Sequence, residues 1–247
     1  MTESGRRSGQ SRARPKSEGV ATADRVLTVL TAFQPGDDAL ELAELANRTA
    51  LVKSTIMRLC VSLERFGLIE RIPDGRYRLG MEVARLGSVY LQSFALEEHV
   101  TPVLTRLVAA SGETASFYIR RGDARLCLLR VDSPSSLRMH VRPGDLRPMD
   151  RSSVAQVFEQ FDPACRPGRS LVLPIHSRGT TDPHVASSAA PVFGVNGRLF
   201  GALSVSGPIS RLTEARAAEI APILLECADH VTQALGDAFQ GEPARSE

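Results

Sequence analysis

The sequence has no tryptophan, only three tyrosines, and no apolar run long enough to span a bilayer. Its N-terminal stretch also lacks the apolar core of a signal peptide. The four cysteines lie far apart without the pairwise spacing of a zinc site, and Cys60 and Cys127 sit in apolar runs typical of buried thiols. We therefore expect a protein of the reducing cytoplasm, without a membrane partner, a metal or another cofactor.

A large net charge is also missing, because the formal charge at pH 7 is only +2. The charge is nevertheless unevenly distributed along the chain. Residues 48–78 contain seven basic and three acidic side chains, whereas residues 20–47 contain one basic and five acidic ones. Positive charge gathered on one segment is what a phosphate-binding surface requires.

Residues 39–66 have the pattern of two short helices joined by a tight turn, a helix-turn-helix. Apolar residues in each half recur at spacings of three and four, as on one face of a helix. The second half begins with side chains that can donate hydrogen bonds to base edges and phosphates. These candidate DNA-binding side chains are Lys53, Ser54, Thr55 and Arg58.

The flanking segments complete a winged helix-turn-helix domain over residues 20–80. Residues 20–33 show helical spacing, with Thr22 as the expected N-cap. Residues 68–79 contain two short extended runs around a hairpin dipeptide, Asp74-Gly75, and the arginines Arg71 and Arg76 suit phosphate or minor-groove contacts. The preceding residues 1–19 are rich in Ser, Gly and Arg, so we expect a disordered tail.

Residues 81–96 are predicted to form a linker helix. Leu86, Val89 and Tyr90 are among the apolar residues that recur there at helical spacing. This stripe packs either on a second copy of the chain or on the domain to which it belongs, and both alternatives remain open. A further helix follows and ends near Ser111-Gly112.

The remaining domain, residues 97–240, mixes strands with helices. Helical spacing returns over residues 150–161 and after Thr213, where Pro222 is expected to bend the last helix or to mark its true start. This mixture indicates an α+β class with a mostly antiparallel sheet. The predicted strands are 114–120, 125–131, 137–141, 185–193 and 199–206.

Short motifs over most of the chain resemble those of the IclR family of bacterial transcription regulators. Each motif is weak alone, but their order and spacing are specific. The resemblance implies a winged helix-turn-helix that binds a palindromic double-stranded DNA operator, a dimerising linker helix, and a C-terminal effector-binding domain similar to GAF and PAS-like sensors. The motifs include Leu42–Ala46, Lys53–Thr55, Gly75–Gly80, Gly144–Met149, Ala190–Phe193 and Leu203–Pro208.

The resemblance also implies a homodimer or homotetramer that responds to a small organic or aromatic acid. Ser204 and Ser206 alternate on one predicted strand, so their hydroxyls face the same side, where Ser187 of a neighbouring strand can help them bind a carboxylate. Without the resemblance, these serines would simply form a small-residue face of the sheet. No arginine in the motifs is an obvious carboxylate clamp, although Arg138 and Arg142 flank the third predicted strand. The implied effector-binding residues are Met139, Ser153, Val154, Asp182, Ser187, Ser204 and Ser206.

The sequence departs from the family pattern in two places that affect structure. The usual turn Gly-Leu-Pro-Lys-Ser-Thr is here Ala50-Leu-Val-Lys-Ser-Thr. A left-handed backbone at Ala50 costs roughly 1 kcal/mol relative to glycine, so we expect a slightly altered turn but the same fold. The segment 161–175 is shorter than usual, so a helix and a strand that normally cover part of the pocket are expected to be missing or rebuilt.

Three functions are compatible with these observations. The leading one is a ligand-responsive DNA-binding regulator, a repressor rather than an enzyme. The second, an enzyme fused to a DNA-binding module, lacks any nucleophile elbow, nucleotide-binding glycine loop or paired metal motif. The third is a regulator whose second domain serves only for assembly. His176 and His184 flank Asp182 without a recognised metal spacing, so we expect exposed loop histidines there.

Overall fold

The computed structural model describes residues 19–93, 96–137, 139, 141–161, 172–194 and 197–240. The predicted tail, residues 1–19, lies outside this part of the chain apart from Gly19, and so do residues 162–171 of the shortened segment. The chain divides into two compact units after Met81, with residues 34–37 grouped with the second unit. No helix among the described residues has the length and apolar character needed to cross a membrane.

The first unit is a winged helix-turn-helix. Its core is formed by side chains such as Val29, Leu45, Ile56 and Leu63, one or more from each helix. The prediction of Thr22 as N-cap is wrong, because the helix is preceded by Val20, which makes no side-chain cap. The elements are α1 (Ala21–Leu30), α2 (Leu42–Thr49), α3 (Lys53–Arg65), β1 (Ile69–Arg71) and β2 (Tyr77–Leu79), with β1 and β2 antiparallel.

The turn between α2 and α3 keeps its left-handed residue although that residue is alanine. Ala50 has φ 55° and ψ 22° and follows the last residue of α2. It is the only non-glycine with positive φ among the described residues. The expectation of a retained fold is therefore confirmed, whereas the expected alteration of the turn stays a prediction, because Ala50 keeps the left-handed conformation that glycine adopts more readily.

The second unit contains a six-stranded antiparallel sheet with the order β5-β4-β3-β8-β7-β6. One face is covered by α5 and α7, through buried residues such as Leu104 and Leu224, and the other by α6, through Val157 and Phe158. The elements are α4 (Met81–Ser93), α5 (Leu96–Ser111), β3 (Thr114–Arg121), β4 (Ala124–Val131), β5 (Leu146–Pro148), α6 (Ser153–Gln160), β6 (Ile175–Arg178), β7 (Val185–Phe193), β8 (Leu199–Pro208) and α7 (Glu214–Gln240).

The last helix begins where the sequence indicates. The Thr213 hydroxyl accepts a hydrogen bond from the backbone N–H of Arg216 at 3.2 Å, as an N-cap does. The helix continues through Pro222, so the alternative that this proline marks the true start is wrong. The missing N–H of Pro222 is tolerated because neighbouring turns and the sheet hold the helix in place.

Two strands differ from the prediction. The described residues of the predicted strand 137–141 belong to no strand, and β5 lies beside β4 instead. In the segment 137–141, the Met139 carbonyl accepts a hydrogen bond from the Arg130 side chain at 2.7 Å instead of one from a neighbouring strand. The strand β6 was not predicted, because four residues containing His176 and Arg178 carry too weak a strand signal.

Candidate functional site

The exposed face of α3 carries most of the predicted DNA-binding side chains. Lys53, Ser54 and Arg58 are exposed, while Thr55 is half-buried at the start of the helix. They face away from the core because the opposite side of α3 supplies the buried residues. These buried residues are Ile56, Leu59, Cys60 and Leu63.

The hairpin carries the other two predicted DNA-binding residues, Arg71 and Arg76. Arg76 pairs with Asp74 at 2.7 Å, and its backbone and side-chain hydrogen bonds lower the pKa of that carboxyl. The Arg71 guanidinium lies over the Tyr77 ring, 5.9 Å from its centroid. Arg71 therefore presents a preoriented positive charge, whereas Arg76 must exchange Asp74 for a phosphate to bind DNA.

The second unit contains a cavity of about 190 Å³ between the α6 face of the sheet and the loops beside it. Six of the seven predicted effector-binding residues line this cavity, although they come from separate parts of the chain. Ser204 and Ser206 face the same side, as predicted, and Ser187 lies directly opposite Ser206 in the β7–β8 register. The six residues are Met139, Val154, Asp182, Ser187, Ser204 and Ser206.

The seventh residue, Ser153, lies behind the cavity wall. It is fully buried at the start of α6, and its hydroxyl lies 2.7 Å from that of Ser187. The Ser177 hydroxyl lies 3.0 Å from Ser187 and accepts a hydrogen bond from the backbone N–H of Ser153 at 2.9 Å. The three hydroxyls have three protons for two mutual hydrogen bonds, so the group leaves one proton to donate to a ligand.

The cavity is also lined by arginines that were not predicted from the sequence. Arg125 is 6 % exposed and binds Asp150 through both guanidinium Nη atoms, at 2.7 and 3.2 Å. Burial opposes ionisation of Asp150, but hydrogen bonds from Arg125 and Ser152 outweigh it and hold the pKa of this carboxyl well below its usual range. Arg147 lines the same cavity, and its guanidinium has no hydrogen-bond or ion-pair partner within the described part of the chain. Its position within the Gly144–Met149 motif was the signal that could have identified it.

Tyr118 and Ser177 were also missed, because each lies on a strand that faces the cavity only after the sheet has folded. Burial raises the pKa of Tyr118 to about 12, so its phenol stays protonated and available as a hydrogen-bond donor. A second cavity of about 400 Å³ shares five lining residues with the first, among them Met139, Arg147 and Asp182. Exposed side chains such as Leu137 and His184 line this second cavity, which therefore connects the inner cavity with solvent.

The histidine prediction was half right. His184 is exposed in a loop, but His176 is half-buried on β6, and its Nδ1 lies 2.9 Å from the Ser188 hydroxyl. Burial lowers the pKa of His176. No group of three or more metal-binding side chains occurs among the residues that the structure describes.

Comparisons with known proteins match both units. Residues 22–73 match the model of the IclR helix-turn-helix domain, and residues 177–233 that of the bacterial transcriptional regulator IclR C-terminal domain. The chain is 29 % identical to the HTH-type transcriptional regulator BhcR of Paracoccus denitrificans, over 86 % of each chain. It is 28 % identical to the transcriptional repressor IclR of Escherichia coli, over 90 % of this chain and 92 % of that one.

The fold also matches solved structures. One is an IclR homolog of Microbacterium hydrocarbonoxydans complexed with 4-hydroxybenzoate, with a TM-score of 0.71 and 21 % identity over 87 % of this chain and 99 % of that one. The two relatives from Paracoccus and Escherichia are transcriptional regulators, not enzymes. Each unit matches a model of an IclR domain, and the relatives match over most of the chain's length, so the comparisons support an IclR family transcriptional regulator.

Proposed function

We propose that the chain is an effector-responsive repressor that binds a double-stranded DNA operator through its first unit and a small organic or aromatic acid through its second. The cavity that brings together the serine hydroxyls and Arg147 carries this proposal. The protein acts in the cytoplasm, as a homodimer or homotetramer, and needs no cofactor. Repression is proposed from the likeness to the transcriptional repressor IclR of Escherichia coli.

The charges and geometry of the first unit support operator binding. Lys53 and Arg58 project from the exposed side of α3, and Arg71 projects from the hairpin. Such side chains bind phosphates and the guanine edge in the major groove. Ser54 and Thr55 at the start of the helix add hydroxyl donors where a recognition helix meets the bases. Arg76 of the hairpin contributes to DNA binding once it exchanges the Asp74 carboxylate for a phosphate.

The chemistry of the cavity supports an anionic effector. The hydroxyls of Ser204 and Ser206 have no hydrogen-bond partner within the described residues, and the network around Ser187 offers one further proton. Arg147 supplies a positive charge at the side of the cavity that opens toward solvent. Together, Arg147 and these hydroxyls match a ligand that has a carboxylate at one end and a neutral hydroxyl at the other.

The size of the cavity restricts the effector further. The inner cavity, at about 190 Å³, is below the 300–1,000 Å³ that is typical of pockets for drug-sized ligands, so the part of the acid that it encloses is compact. Val154, Val141 and Met139 provide apolar walls for its body. The IclR homolog of Microbacterium hydrocarbonoxydans is complexed with 4-hydroxybenzoate, which has this combination of a carboxylate, a ring and a hydroxyl.

The linker helix α4 supports assembly with a second copy. Leu86, Val89 and Tyr90 are 47, 47 and 38 % exposed, although their spacing places them on one stripe. Pairing through this stripe gives two recognition helices for a palindromic operator. The effector then acts by linkage, because it binds one arrangement of the dimer more tightly than the other and shifts the population that fits DNA.

One experiment distinguishes effector sensing from the alternative in which the second unit serves only for assembly. Purified protein selects bound duplexes from a random DNA pool, and the selected duplex is then titrated with the protein at increasing concentrations of small carboxylic acids. An effector at 100 times its Kd is expected to raise the free energy of unfolding by about 2.7 kcal/mol in a thermal-shift assay and to change duplex affinity. Duplex binding that no acid in a broad panel alters would contradict effector sensing and favour the assembly role.

A further inference from the structure

The exposed face of α3 has an unusual composition for a surface. Three residues follow Ser54 at distances of three, four and seven positions, so all four lie on one side of the helix; they are Met57, Arg58 and Val61. This side is opposite the buried residues that begin with Ile56. Val61 lies near its centre and is 64 % exposed, and Met57, one turn earlier, is 49 % exposed.

These two apolar side chains lie among positive charges rather than beside other apolar ones. Lys53 and Arg58 flank Met57, and Arg65 follows Val61 one turn later. An apolar protein surface would leave these charges unpaired, whereas DNA supplies phosphates for the charges and one apolar group in its major groove. That apolar group is the C5-methyl of thymine.

The same face lacks the side chains that read the other base edges. Adenine is usually recognised by Asn or Gln, and the amino group of cytosine by Asp or Glu. The sequence of α3 contains no Asn, Gln or Asp. Its one carboxylate, Glu64, is half-buried beside Cys60, and one of its oxygens is buried away from solvent. The helix therefore offers Arg and Lys for guanine, hydroxyls for any base, and apolar groups for thymine.

We infer that Met57 and Val61 determine operator specificity by contacting thymine methyl groups in the major groove, while Lys53 and Arg58 read guanine or phosphate. This inference rests on the proposed binding of α3 to DNA. Each base pair of the half-site is then recognised through its guanine or its thymine. Val61 contacts a base pair that lies further from the start of α3 than the one that Met57 contacts.

The test uses full-length protein and the duplex selected from the random pool. Each thymine is replaced in turn by deoxyuridine, which removes the methyl group and keeps the hydrogen-bonding edge. At one or two thymines per half-site the affinity is expected to fall about fourfold, the value of one buried methyl-sized group. Val61→Ala and Met57→Ala should each remove the penalty at one position, so that the variant binds the thymine and deoxyuridine duplexes equally.

A matched control is Leu27→Ala, because Leu27 is an apolar residue of α1 with a similar exposure of 55 %. This variant should keep the full deoxyuridine penalty. Equal binding of all deoxyuridine duplexes by the unmodified protein would overturn the inference, as would a penalty that survives both α3 variants. Selection of no duplex at all would overturn the proposed operator binding itself, so the two failures are distinguishable.

Discussion

Arg125 and Arg147 lie directly opposite each other in the β4–β5 register, yet only Arg125 has a carboxylate partner, Asp150, among the described residues. Like charges placed opposite each other on antiparallel strands repel. Asp150 neutralises one of these charges, and an anionic effector would neutralise the other. Arg147 has no ion-pair partner among the described residues, so under the proposed function its charge is available to a carboxylate effector.

We expect Arg147→Gln to lower effector affinity at least about tenfold, because a hydrogen bond to a charged group contributes roughly 1.5–3 kcal/mol. Stability without effector should stay the same or rise slightly, since the repulsion from Arg125 is removed. Calorimetric titration with the effector and thermal unfolding measure the two quantities. Arg121→Gln removes an exposed arginine outside the cavity lining and should change neither. Unchanged effector affinity in Arg147→Gln would contradict the proposed clamp.

The double variant Ser204→Ala, Ser206→Ala should bind operator normally but lose most of its response to effector. Each hydrogen bond that the variant cannot form contributes about 1 kcal/mol, so effector affinity should fall roughly tenfold or more. A gel-shift titration with and without effector measures this. Ser210→Ala, an exposed serine beyond β8, is the control. A full response in the double variant would show that the effector binds elsewhere.

Lys53→Ala and Arg58→Ala should each weaken operator binding without unfolding the protein, because both side chains are exposed. If a side chain binds phosphate, the slope of log affinity against log salt should decrease by about one for each phosphate that the variant no longer neutralises. Fluorescence anisotropy at several salt concentrations gives this slope, with Arg121→Ala as the matched removal of one positive charge. Wild-type affinity in both α3 variants would exclude α3 as the recognition helix.

Replacing Ala50 with glycine should stabilise the first unit by about 1 kcal/mol, because Ala50 is held at φ 55°. Urea denaturation followed by circular dichroism measures the change in free energy. Ala23→Gly makes the same substitution within the exposed part of α1 and should instead destabilise, since glycine is a poor helix former. A decrease in stability in Ala50→Gly would mean that the turn adopts another conformation in solution.

Asp150→Asn should destabilise the second unit by about 3 kcal/mol at neutral pH, because it leaves the buried Arg125 without its counter-charge. The folded state lowers the pKa of Asp150 below its ordinary value of 3.8. Its contribution to stability is therefore complete above about pH 4 and disappears as the pH falls toward the lower folded pKa. Denaturation between pH 7 and 3 should show a smaller decrease in stability for the variant than for the wild type, and parallel curves would contradict this role.

The elements with strong local signals could be predicted from the sequence. The helices α2, α3 and α5 have regular apolar spacing, and the hairpin of β1 and β2 has its Asp74-Gly75 turn. The predicted strand at 137–141 was wrong, and β6 was missed. In both places the neighbouring residues determine whether a strand forms. The Arg130 side chain donates to the Met139 carbonyl in the first segment, and β7 pairs with the four residues of β6 in the second.

The sequence by itself determined the apolar faces of the helices, the alternation of Ser204 and Ser206 on one strand, and the gathering of basic residues on residues 48–78. These follow from local periodicity and composition. Only the tertiary structure decided that Ser187 meets the network of Ser153 and Ser177, and that Asp150 pairs with Arg125 rather than Arg147. Such pairings join residues far apart in the chain, and they form only when the register of the sheet and the packing of α6 bring them together.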